Sequence, residues 1–87
     1  MLDKVKLALR VSSVYPDDEI KGLIDAATMD LKMGGIKIID GDALIERAVI
    51  TYCKAHFGYD NPEAERFEES YIKMKQHLML YGDYHEA

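Results

Sequence analysis

The chain has one cysteine, Cys53, in 87 residues, so no disulfide can form within it, and a lone thiol suits a reducing compartment. No apolar run approaches the roughly 20 residues that a membrane-spanning helix needs. The opening Met1-Leu2-Asp3-Lys4 lacks the charged-then-apolar pattern of a secretory signal, which points to an intracellular protein without membrane contact. Positive charge is also short. Eleven Lys and Arg face sixteen Asp and Glu, for a net charge of −5. Such a balance argues against a protein that grips the phosphate backbone. It leaves room for one that surrounds DNA without holding it.

Recognised catalytic patterns are missing as well. Gly34-Gly35 is followed by no Gly-Lys-Ser/Thr, so it is not a phosphate loop. Asp40-Gly41-Asp42 opens like a calcium loop but has Leu44 and Thr51 at the fifth and twelfth positions, where ligands belong. A turn and helix N-cap explain it better. Cys53 and His56 are three apart, as paired metal ligands can be, but no second pair accompanies them. A histidine in the apolar arc beside a core thiol is the simpler reading. No serine or cysteine lies in a nucleophile-elbow or triad context. The sequence therefore predicts no enzyme, no metal and no cofactor.

What is present is helical patterning in a globular composition, 48% hydrophobic and 31% charged. Length allows one domain, and a domain this small has a marginal core that oligomerisation can supplement. The expected fold class is all-α: a small bundle of about four helices, with a short glycine-bounded loop between the second and third. Residues 1–82 form the domain, and 83–87 a short flexible tail.

The first helix is expected over Leu2–Val11, with a connector at 12–15. Pro16 then starts a second helix, and Asp17, Asp18 and Glu19 complement its dipole. This helix runs to Met33 and stops at Gly34-Gly35. At 100° per residue, Ile20, Leu23, Ile24, Ala27 and Leu31 gather on one face. Gly22, Ala26, Met29 and Met33 gather on the other. A surface helix ordinarily has one apolar stripe. Either the domain's own helices cover both faces, or the second face meets another subunit. The loop GGIKIIDGD holds Ile36, Ile38 and Ile39, which either fold back on the core or offer an apolar patch to a partner. These seven residues, Gly22, Ala26, Met29, Met33, Ile36, Ile38 and Ile39, are the candidate subunit or portal interface.

The third helix, over 42–57, has an apolar arc of about half a circle, including Leu44, Ile45, Val49 and Cys53, and reads as the central helix. Gly58 stops it. Asn61 and Pro62 start the fourth, whose stripe of Phe67, Tyr71, Met74, Leu78 and Tyr81 resembles a coiled-coil seam. No helix is rich enough in Arg, Lys, Asn or Gln to read DNA as a recognition helix.

Three stretches carry a family resemblance: LDKVKLALRVSSVYPDDEIKGLIDAATMDL, LIERAVITYCKAHFGYDNPEAERFEESY and HLMLYGDY. In their order and texture they resemble the short head–tail connector (DNA-packaging) proteins of tailed bacteriophages. The resemblance implies a structural virion-assembly protein found at the head–tail junction, and in the host bacterial cytoplasm during assembly. Such a subunit forms a homo-oligomeric ring on the portal protein, extends the DNA channel and receives tail-side completion proteins, while DNA passes without sequence-specific binding. Family members can carry a longer excursion between the second and third helices than this chain does. The alternative reading is a small helical protein-binding module, an adaptor or regulator of phage or prophage origin.

Overall fold

A computed structural model describes residues 1–11, 15–58 and 61–85. Four α-helices follow one another: α1 (Leu2–Leu9), α2 (Asp17–Met33), α3 (Ala43–His56) and α4 (Ala64–Leu80). A short 3-10 turn, Gly82–Tyr84, completes the described chain. Expectations for positions 12–14, 59–60 and 86–87, the connector and the tail end among them, lie outside the described residues.

Helix α3 organises the rest by packing against each of the other three helices. Its side chains explain why. Ile45, Ala48, Val49 and Cys53 have almost no exposure, and Thr51 and Ala55 are buried too. Thr51 satisfies its hydroxyl locally by donating to the Arg47 carbonyl at 2.8 Å. Around α3 gather Val5 from α1, Ile20, Ala27 and Leu31 from α2, and Tyr71 and Leu78 from α4, all buried in the same core. The Tyr71 ring meets the Tyr52 ring edge-on at 5.1 Å between centroids.

The helix ends are set by particular groups. Helix α1 stops at Leu9, two residues before the expected Val11, because Arg10 adopts the left-handed conformation at φ 57°. Its N–H donates to the Leu7 carbonyl at 3.1 Å, and that of Val11 to the Lys6 carbonyl at 3.3 Å. This is the closing pattern glycine usually serves, with an arginine in its place. Lys6 then pairs with Asp17 at 2.7 Å and ties α1 to the start of α2. Pro16 flanks α2 rather than opening it. Asp17 thus pairs across the connector with Lys6 and not along its own helix with Lys21, and no ion pair joins Glu69 to Lys73 among the described residues.

At the end of α2, Gly35 takes φ +80°, its N–H bonds to Lys32, and the Ile36 N–H reaches back to the Leu31 carbonyl at 3.1 Å. That geometry normally brings the residue after the glycine onto the helix it closes. Ile36 accordingly joins Leu31 in the core with no exposure. Gly34 sits against α4: a Cβ there would lie 2.9 Å from Lys75 Cε.

Asp42 caps α3. Its Oδ1 accepts the N–H groups of Leu44 and Ile45 at 2.9 and 3.1 Å, while Oδ2 accepts the Tyr84 hydroxyl at 2.8 Å. The Lys37 N–H donates to the Tyr84 carbonyl at 2.5 Å, and Ile36 forms an antiparallel bridge with His85. The expected flexible tail is thereby corrected at 83–85, which folds back as a strap over the glycine-bounded loop. Helix α4 begins at Ala64, later than Asn61 and Pro62 predict. Asn61 instead spans two helices, donating to the Lys54 carbonyl at 2.7 Å and accepting the Glu63 N–H at 3.1 Å.

One polar cluster joins α2 to α4. Asp30 accepts the Tyr71 hydroxyl at 2.5 Å and the Lys75 ammonium at 3.1 Å. The Tyr71 bond first, and Lys75 after it, hold the Asp30 carboxyl below its ordinary value of 3.8. Asp42 is lowered as well, chiefly by the Ile45 N–H and then by the Tyr84 hydroxyl. Both shifts favour the ionised form in the folded state. Their contribution is therefore complete above the unfolded carboxylate range and is lost as pH falls through the lowered values. Urea unfolding across pH should show stability falling below about pH 4 from these two groups. Tyr71→Phe should lower stability near neutral pH by about 1 kcal/mol and flatten the acid-side slope. An unchanged slope would mean that the hydroxyl does not hold the carboxylate.

Candidate functional site

Helix α2 has two faces with different fates. Ile20, Ala27 and Leu31 are fully buried, and Leu23 and Ile24 pack against the core beside them. On the far side Gly22 and Ala26 are exposed, Met29 is 62% exposed and Met33 80%. Among the described residues no element covers this second face. The four positions fall within about 60° of arc at 100° per residue, so they form one line along the helix. Asp18 and Asp25 lie beside that line, and Lys21 and Lys32 lie further round on the same flank.

The isoleucine loop does not join them. Of the two readings open to it, Ile36 takes the core one and leaves the candidate interface, because the turn that closes α2 folds its side chain inward. Ile38 is half-buried and packs against the core. Ile38 and Ile39 line a shallow hollow with Met1, Lys4 and Ile45, whose walls include no residue of α2. The candidate residues thus fall in two separate apolar places, the outer face of α2 and the Ile38–Ile39 hollow.

A third apolar place involves the aromatic seam of the last helix, which sequence patterning marks without showing the groove beside it. Between α3 and α4 runs a groove of about 310 Å³, lined by Leu44, Arg47, Met74, His77, Leu78 and Tyr81. Periodicity assigns Leu44 and Tyr81 to the core, yet they are 51% and 60% exposed. Leu44 is in the first turn of α3 and Tyr81 just follows α4, so both overhang the ends of the packed stretch. The rest of the predicted seam, Phe67, Tyr71, Met74 and Leu78, is half-buried or buried, and α4 packs on α3. A hollow further along the same seam shares Leu44, Arg47 and Met74 and reaches Lys54 and Phe67.

No chemical centre emerges from the remaining candidates. Cys53 is buried, and burial pushes its thiol up to about 11. His56, expected in the apolar arc, is exposed at the last position of α3, with its ring 4.3 Å from that of Tyr52. The described residues contain no group of three or more His, Cys, Asp or Glu able to hold a metal ion. No helix among them is long and apolar enough to cross a membrane.

Comparison with protein families gives a match over residues 1–85 to the family described as Phage connector protein. The chain belongs to that family. Neither the curated proteins nor the solved structures give a match. Membership makes the connector's role a structural one in a phage, and implies contact with portal and tail proteins at the head–tail junction. The geometry of the connector accords with such a role. Its uncovered features are apolar surfaces on helices, where a partner protein can bind, while the Cys53 thiol lies in the core.

The buried thiol provides a check on the packing of α3. Iodoacetamide at pH 8 should leave Cys53 unmodified in the native connector and modify it fully in urea, because both access and thiolate are lacking in the fold. Rapid native modification would contradict the buried position.

Proposed function

We propose that the chain is one subunit of a homo-oligomeric ring that seats on the portal, extends the DNA channel and receives the tail-side completion proteins. The observation that carries this reading is the uncovered outer face of α2. A helix whose inner face is already buried still presents Met29 and Met33 at 62% and 80% exposure, in line with Gly22 and Ala26. Apolar surface of this kind on an otherwise complete domain marks a contact with another protein. The family match over residues 1–85 supports phage connectors as its setting.

Within this reading Gly22, Ala26, Met29 and Met33 contact a neighbouring subunit or the portal. Ile38 and Ile39 form a second, smaller contact beside Met1. Ile36 supports that loop from inside. The net charge of −5 suits a wall past which DNA slides, since an acidic surface gives phosphates nothing to grip.

Cryo-electron microscopy of the protein mixed with its portal protein tests the proposal. A ring of this chain at the narrow end of the portal is expected. Absence of binding to an intact portal would overturn it, and a single copy bound off-axis would favour an adaptor.

A further inference from the structure

A ring needs two surfaces that fit each other, and the following inference rests on the ring reading above. Two uncovered surfaces of different character share no residue. The outer face of α2 is apolar toward its C-terminal end, at Met29 and Met33, and carries Asp18 and Asp25 alongside. The α3–α4 groove is apolar at Leu44, Met74, Leu78 and Tyr81 and also carries Arg47 and His77. Among the described residues none of Asp18, Asp25, Arg47 and His77 makes an ion pair within the chain. An acidic protein thus has a groove that carries the guanidinium of Arg47 and, elsewhere, an apolar helix face with the unpaired carboxylates of Asp18 and Asp25 directly beside it and Lys21 and Lys32 further round.

Spacing supports the match. Asp25, Met29 and Met33 are four apart, so each step along α2 is about 6 Å. Leu44 and Arg47 are separated by about 4.5 Å along α3. A helix laid with its methionines over Leu44 therefore brings Asp25 within reach of Arg47. Gly22 and Ala26 let the two backbones approach.

We propose that the outer face of α2 in one copy docks into the α3–α4 groove of a second copy, with Met29 and Met33 filling the apolar groove and Asp25 meeting Arg47. The two surfaces are distinct, so the contact is head-to-tail. Repetition of one such contact yields a closed ring when its rotation closes. Laying α2 on α2 with two-fold symmetry would instead leave Arg47 and the apolar α3–α4 groove unused.

Photo-crosslinking tests this docking. The full chain carries benzoylphenylalanine in place of Met33 and is mixed with isotope-labelled copies, both alone at high concentration and together with the portal protein. Crosslinks from position 33 to Leu44, Met74 or Tyr81 of a labelled copy are expected. Asp25→Arg and Arg47→Asp should each cut the yield about tenfold or more while leaving helical circular dichroism unchanged. A mixture of the two variants should recover it, since each then offers the other an opposite charge. Crosslinks confined to α2 of the second copy, no crosslink to a second copy in either sample, or yields indifferent to both reversals would overturn the docking. Rings on the portal whose crosslinks from position 33 fall elsewhere would sink this docking alone. Absence of both rings and crosslinks would sink the ring reading with it.

Discussion

The structure depends on the burial of α3. A chain of 87 residues can enclose little apolar surface, and here most of it is spent around one helix. With Ile45, Ala48, Val49 and Cys53 fully enclosed, α3 draws α1, α2 and α4 around itself. The capping carboxylate of Asp42 extends that organisation. One of its oxygens starts α3 and the other holds Tyr84, so the same residue fixes the central helix and the strap that closes the loop.

Placing the core around α3 decides what stays uncovered. Helix α2 has apolar residues on both sides, and α3 can take only one of them. Helix α4 rests on α3 and leaves a groove at the end where Leu44 and Tyr81 overhang. The Asp30 cluster locks α4 to α2 and so fixes where these surfaces lie within one subunit. For an assembly protein this is a useful division. The most exposed residues offered to a partner, Met29, Met33, Leu44 and Tyr81, are not those that hold the domain together, although Leu78 belongs to both the core and the groove wall.

Much of this was legible in the sequence, because it depends on local patterns. Gly34-Gly35, Asp42 and Gly58 marked helix ends through backbone and capping chemistry, and the two stripes of α2 followed from periodicity. The misses share a different cause. Arg10 ends α1 in a conformation its side chain does not advertise. For Ile36 the loop's composition leaves core and partner patch both open, although an isoleucine directly after a helix-closing glycine carries a signal for burial against the last turn. The folding back of 83–85 depends on Tyr84 meeting Asp42, a partner 42 residues away. Periodicity also takes each helix as covered along its whole length, and for that reason it misassigned Leu44 and Tyr81. The groove itself has no signature within any one helix, because its walls come from two.

The central claim is that the outer face of α2 is covered when copies assemble, and methionine oxidation reads this directly. With peroxide applied to the free subunit and to the assembled particle, Met29 and Met33 should oxidise readily when free, in keeping with their 62% and 80% exposure. In the assembly both should be protected. Equal oxidation of Met29 and Met33 in the two states would contradict the account.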